Sequence, residues 1–459
     1  MKKLGLFLGF IALAMTSVAQ NTGQSALVLT LEQALEIALN ESPTIKVAEQ
    51  EIEIKRYAKQ ETYSSLYPRF DATAQYQRVI EKQTMAFQGQ VMKIGSSNSF
   101  NGGISASMPV VNAQLWESLK VSVADVMLSI EKARSSQIDM IEQVSKAYFT
   151  TLLAKESLVV YQRVYDNAVE NNKNIKKRYD VGSVSEYDLI SSNVSVQNAI
   201  PNLIEAQNSV VLALWQLKAL LGIDLQKNID VLGSLKDYEA QMNYAHTLDK
   251  LDLSNNSSLK QMDIQESMLK SAARIAKFAN IPTLSVNAAY LYTALGNDGS
   301  FFQSKAWNPY SYAGVQLNIP IFAGLQRRAA IRQANLNLSN LRLQRENAER
   351  QLQVAVVQSL NNMQTNVKKF SAAAATVGQA QRGYEIAVKR YEVGRGTLVD
   401  VDNSQLALTQ AELGRNSAIY NFMVSKIALD KILGNHDVKS NHNYIDSYKS
   451  MYENRYGDK

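Results

Sequence analysis

Arg178-Tyr179-Asp180-Val181-Gly182 recurs 212 positions later as Arg390-Tyr391-Glu392-Val393-Gly394. Three other landmarks keep nearly the same offset. Tyr67-Pro68 recurs as Ile281-Pro282, Met108-Pro109-Val110 as Ile319-Pro320-Ile321, and Leu221-Gly222 as Leu433-Gly434, shifted by 214, 211 and 212 positions. Separate landmarks at one offset mark two tandem copies of a single unit, and a repeat decides the fold before any local pattern does. The expected division is a first unit over 20–225 and a second over 226–434, with a polar tail over 435–459.

Each turn closes a long helix. From Asn112 to Val181 the chain has neither Gly nor Pro, which at 1.5 Å per residue predicts about 105 Å of helix. Its apolar seam steps by four and three: Leu119, Val123, Val126, Ile130, Ala133, Met140, Val144, Ala147, Ala154, Leu158, Tyr161, Tyr165, Ala168, interrupted at Gln137 and Thr151. A period near 3.5 is coiled-coil packing. A second stripe, Ile141, Tyr148, Leu152 and Val159, predicts contacts on two flanks. Residues 184–221 and 44–67 are shorter helix candidates whose lengths together nearly match this long one. The second copy repeats the arrangement with 325–393, 397–433 and 257–280. One full-length helix with two shorter ones stacked end to end beside it is the geometry these lengths predict.

The strands sit at the other end. Phe70, Ala72, Ala74 and Tyr76 alternate with Asp71, Thr73, Gln75 and Gln77, and Phe100 to Val110 alternates likewise. The second copy repeats this over about 283–293 and 310–321. Period-2 alternation is a half-buried strand, either of an ordinary sheet packed on a helical core or of a membrane barrel; Asn, Gln, Ser and Thr on one face and Tyr or Phe ending the other favour the barrel. A polar loop is expected over 80–99, and the prolines at 68, 109, 282 and 320 are expected where helix meets strand. Four strands cannot close a barrel, since the smallest have about 8, and open edges in lipid leave backbone groups unsatisfied. Several copies of the chain must therefore contribute.

Composition narrows the function. The N-terminus reads as a secretion signal: Lys2 and Lys3, an apolar core from Leu4 to Met15, and Ser17-Val18-Ala19 as the cleavage site before Gln20. No cysteine is present, which removes disulfides, thiolate metal sites, a cysteine nucleophile and N-terminal lipidation. With three histidines, His246, His436 and His442, metal chemistry is poorly supplied. The formal charge of +6 is spread over interspersed acids and bases, a solvated surface and not a nucleic-acid footprint. No phosphate loop or nucleophile motif appears, so no enzyme is expected.

The chain resembles the TolC family of outer-membrane efflux proteins. The resemblance is carried by Leu29-Thr30-Leu31, which leads an amphipathic helix to Asn40-Glu41-Ser42-Pro43, and by the two Arg-Tyr-x-Val-Gly turns, the second followed by Thr397-Leu398-Val399-Asp400-Val401. It implies a mainly α chain with transmembrane β-strands, two β-hairpins per chain. As a homotrimer it would form a 12-stranded barrel continued by a long α-helical coiled-coil tunnel across the periplasm. It further implies a passive duct in the outer-membrane lipid, serving efflux or type I secretion with a periplasmic adaptor and an inner-membrane pump, and using no cofactor. The competing reading is a soluble periplasmic coiled-coil scaffold or adaptor.

The resemblance also implies site residues. Asp400 corresponds to the first acidic ring of the family's periplasmic gate, and Asn403, with Asp402 beside it, stands at the second. Asp188 is the repeat mate of Asp400. Thr397-x-x-Asp400 and Ser185-x-x-Asp188 also read as capping boxes. Tyr179, Asp180 and Tyr391 align with latch positions, and Arg395 is displaced by one from the family's basic residue. Gly182 and Gly394 end their helices in turns that favour positive φ, and their bare backbone would let an adaptor hairpin approach.

Overall fold

The computed structural model describes residues 27–87, 90–243, 252–297 and 307–435. The expected signal segment, the three histidines and all of the tail but Asn435 lie outside these residues.

Two helices dominate: α3 (Ala113–Asp180) and α6 (Gln326–Glu392), of 68 and 67 residues, each about 100 Å long at 1.5 Å per residue. Beside α3 lie α2 (Pro43–Ser64) and α4 (Glu186–Leu221); beside α6 lie α5 (Ser257–Phe278) and α7 (Leu398–Leu433). The short helices abut end to end. An added Cβ at Gly222, which ends α4, would stand 2.9 Å from the Glu41 carbonyl, just before the Ser42 cap of α2. At Gly434, which ends α7, it would stand 2.3 Å from the Asn255 carbonyl, just before the Asn256 cap of α5. Both glycines take positive φ, 69° and 67°, so one residue type satisfies the left-handed turn and the close junction together.

The main core lies at mid-column. The amphipathic helix α1 (Leu31–Glu41) buries Ala34 and Ala38 against Tyr148, Phe149 and Leu152 of α3 and Phe422 of α7. Its Thr30–Gln33 capping box satisfies the first free N–H groups. Two three-residue strands, β1 (Leu27–Leu29) and β6 (Ile229–Val231), pair in parallel there. The Tyr148 hydroxyl donates to the carbonyls of Leu29 and Leu232, and burial pushes its pKa up to about 12. A 3-10 helix, Leu235–Asn243, packs on the same core. On α3 the expected seam is buried at Val126, Ala133, Met140 and Val144. Thr151, read as an interruption, is fully buried because its hydroxyl is spent on the Ala147 carbonyl. On the second stripe Ile141, Tyr148 and Leu152 are buried, and Val159 is instead 54% exposed.

Four strands form one antiparallel sheet in the order β2 (Arg69–Arg78), β5 (Asn98–Val111), β7 (Thr283–Gly296), β8 (Trp307–Asn318). The copies meet at β5–β7, and among the described residues β2 and β8 are left as open edges. Register keeps each face continuous across the four strands. Ala72, Ile104, Tyr290 and Ser311 stand opposite one another in one row, and Tyr76, Phe100, Ala294 and Trp307 in another. On the reverse face Gln75, Asn101, Thr293 and Asn308 form a row. The Phe100 and Trp307 rings meet edge to face at 4.6 Å across Ala294, which is fully buried.

Two expectations are corrected here. The segment 80–99 is not all loop: β3 (Gln83–Phe87) and β4 (Gln90–Ile94) form a second hairpin, and the Asn297 carboxamide oxygen accepts from Lys82 Nζ and from the Ser97 amide at its base. Pro109 lies inside β5 and not at its junction; the register shift between Pro109 and Val111 accommodates its missing N–H. No helix among the described residues is long and apolar enough to cross a membrane.

Candidate functional site

At the end of the column opposite the sheet the two turns lie side by side. Their backbones match. Gly182 and Gly394 have φ of 70° and 71°. In the first turn the amides of Gly182 and Ser183 return to the carbonyls of Tyr179 and Arg178; in the second those of Gly394 and Arg395 return to Tyr391 and Arg390. An added Cβ at either glycine would meet nothing within 4 Å, so both turns present open backbone.

Each following helix starts in a complete capping box. The Ser185 hydroxyl accepts from the Asp188 amide while the Asp188 carboxylate accepts from the Ser185 amide and hydroxyl. Thr397 and Asp400 do the same on α7. The Thr397 amide and hydroxyl, with Arg390 nearby, hold the Asp400 carboxyl below the ordinary aspartate value of 3.8. Its bonds run through Oδ2 alone, so Asp400 is ionised, exposed and still has an oxygen to offer. Asn403 is exposed as well and lies three residues on, along the same helix face.

Asp402 faces elsewhere. Two residues turn a helix by about 200°, and the Asp402 carboxylate accepts from the Ser195 hydroxyl of α4 at 3.0 Å. One edge of the group stays open to solvent. Desolvation on the other side raises its pKa above 3.8, with the Ser195 bond pulling the opposite way. It lines a cleft of about 490 Å³ between the coils with Asn167, Asn171, Asn198, Tyr384 and Gln405.

The coils are tied at the tip by Arg178 and Tyr391 of the repeated motif and farther up by residues outside it. Arg178 places its guanidinium over the Tyr391 ring, 5.4 Å from the centroid, and donates to the Tyr391 carbonyl at 3.4 Å. Farther up, Asn167 donates to Gln405 at 3.0 Å and Arg163 pairs with Glu412 at 2.6 Å. Tyr391 packs with Ile175, Ala387, Leu398 and Val401 in a small core at the tip. Its hydroxyl is buried without a hydrogen-bond partner among the described residues. Burial raises its pKa, as do Asp188 and Asp402, against the pull of Arg178. Tyr179 and Asp180 point outward and are exposed, and Asp180 is not ion-paired to Arg395 within one chain among the described residues. Any signal for Arg178 lay in the motif itself, whose first residue was read as part of the turn.

Among the described residues no cluster of His, Asp or Glu could hold a metal ion. What the site can do is mechanical and electrostatic: hold two coil tips together and present carboxylates.

A sequence profile described as "Outer membrane efflux protein" matches residues 34–223 and 250–435. Outer membrane protein TolC of Escherichia coli (strain K12) is 22% identical over 346 residues, covering 74% of this chain and 70% of that protein. The alkaline protease secretion protein AprF of Pseudomonas aeruginosa is 23% identical over 427 residues, covering 88% and 84%. Among solved structures, the Campylobacter jejuni CmeC outer membrane channel superposes with a TM-score of 0.75 at 20% identity, covering 92% of this chain and 89% of that one.

Proposed function

The chain belongs to the outer membrane efflux protein family, and from that premise we propose that three copies close their sheets into one 12-stranded barrel continued by a helical tunnel. It is an outer-membrane channel with a periplasmic helical extension, and its family is one of transport proteins, not enzymes. One observation carries the assembly of several copies, while the number three comes from the family likeness: a four-stranded sheet, mostly apolar on one face and mostly polar on the other, with both edges unpaired among the described residues. In lipid such edges must pair, and a neighbour's β2 on β8 satisfies them.

Work by AprF in protease secretion and by CmeC as a channel supports a duct fed by a periplasmic adaptor and an inner-membrane pump. Gly182 and Gly394 offer the adaptor its approach, since nothing stands over either backbone. A bulky residue at Gly394 then blocks assembly with the pump while trimers still form.

At the gate, Asp400 and Asn403 share the face that lines the neck, so three copies of Asp400 favour cations there. Asp402 and Asp188 serve that gate from behind, one tying α7 to α4 and the other capping α4. Tyr391 is the latch within the chain, under Arg178. Asp180, Tyr179 and Arg395 face outward and reach a neighbouring copy.

The test is the particle itself. Extracted from outer membranes, the protein should have the detergent-corrected mass of three chains and conduct in planar bilayers. A monomer that stays dissolved without detergent contradicts the reading and favours the scaffold.

A further inference from the structure

The polar face of the sheet is interrupted near mid-strand. Below the row Gln75, Asn101, Thr293, Asn308, the next row reads Thr73, Gly103, Leu291, Tyr310, and the one after it Asp71, Ser105, Ala289, Tyr312. The Tyr310 and Tyr312 ring centroids are 5.8 Å apart, and the rings are 59% and 47% exposed, so the chain itself does not cover them. Ala289, directly opposite Tyr312, is 7% exposed. Leu291 lies over Gly103, its Cδ2 3.0 Å from where a Cβ would stand. The result is a small aromatic and apolar patch near mid-strand, on the face that carries mostly Asn, Gln, Ser and Thr, with Asp71 at the far end of the Tyr312 row. These are not the girdle tyrosines: Tyr290 and Tyr292, in contact with each other at 5.3 Å, sit on the opposite, apolar face.

Resting on the trimeric barrel proposed above, we infer that Tyr310 and Tyr312 form a ring of six aromatic side chains inside the lumen, and that this ring retains aromatic solutes in transit. A tyrosine ring carries a negative π face that attracts cations and stacks on other rings. A lumen of Asn, Gln and Ser holds no such preference, because those groups prefer water to an organic ring. The ring therefore makes passage selective in the barrel, at a level distinct from the carboxylates of the neck. Aromatic cations are the solute class it holds best.

The test uses single trimers in planar bilayers, with probe added on the barrel side. Tetraphenylphosphonium should block at a concentration about fivefold lower than tetrabutylammonium, a cation of similar bulk without rings. Y310L/Y312L, which keeps apolar bulk, should bring the two probes to about the same blocking concentration, and Y310F/Y312F should preserve the difference. Equal block of wild type by both probes overturns the inference while leaving the barrel intact, as does a preference that survives Y310L/Y312L. Wild-type protein that neither trimerises nor conducts overturns the barrel and the inference with it.

Discussion

The two tip turns share a backbone and differ in what their arginines do. Arg178 leaves its own turn and reaches Tyr391 of the other copy. Arg390, its equivalent, folds back and donates to the carbonyl of its own Arg395 at 3.2 Å. One sequence motif thus makes a tie between coils in the first copy and closes its own loop in the second. Duplication supplied two turns with one backbone; the side chains then divided the work. The first tip holds, and the second, with an exposed Asp400 and Arg395, is held; it is the one we propose for the gate.

The largest effects fall where the copies are constrained by the same backbone geometry. Gly434→Ala should destabilise by about 2–4 kcal/mol, since it combines positive φ with a clash against Asn255. Gly222→Ala should cost somewhat less, its contact being 2.9 Å. Gly182→Ala and Gly394→Ala, free of clashes, should each cost about 1–2 kcal/mol and match each other. Thermal unfolding of the detergent-solubilised protein reads all four, and unequal costs at the two tips would break the equivalence of the turns.

The arginines come next. Arg178→Ala should cost about 1 kcal/mol through the lost cation–π and hydrogen-bond contacts and lengthen channel open times. Arg390→Ala should stay within about 0.5 kcal/mol and leave gating alone. Equal effects would mean that Arg178 ties nothing.

The smallest effect is a pH response that separates neighbouring carboxylates. Asp400 has a lowered pKa, so its contribution is present above 3.8 and is lost only as pH falls through the lowered value. Asp402 has a raised pKa, so its contribution is full below 3.8 and fades as pH rises through the raised value. Mild acid just above 3.8 should therefore protonate Asp402 first and slow amide exchange around Ser195 and Asp402, a change that Asp402→Asn abolishes. The same response in Asp402→Asn would place its origin elsewhere.

Much of this was legible in the chain because the signals are long. A helix of 68 residues without Gly or Pro, and strands alternating over ten or more residues, leave little freedom. The features missed are short or distant. Leu27–Leu29 and Ile229–Val231 have three residues each and pair across 200 positions, too few for any period to show. The β3–β4 hairpin hid because Gln83 to Ile94 mixes Met, Ala, Lys and Gln without a clean alternation. At the tip the capping boxes were readable from spacing alone. Asp402 was grouped with the gate because it neighbours Asn403; that it faces α4 became visible only once the coils were packed, since its partner Ser195 sits 207 positions away. Arg178 shows the same limit: a motif names a turn, and its tertiary partner belongs to the fold.

The division of labour between the tips is tested most directly by a matched pair of single-channel recordings, Asp188→Ala against Asp400→Ala. Both substitutions remove the same capping bonds, at about 1 kcal/mol each, so any shared effect belongs to the caps. The expected result is that only Asp400→Ala lowers cation preference and relieves block by multivalent cations, with Asp188→Ala conducting as wild type. Unchanged selectivity and block in Asp400→Ala, or equal changes in the two, would contradict a gate at the second tip.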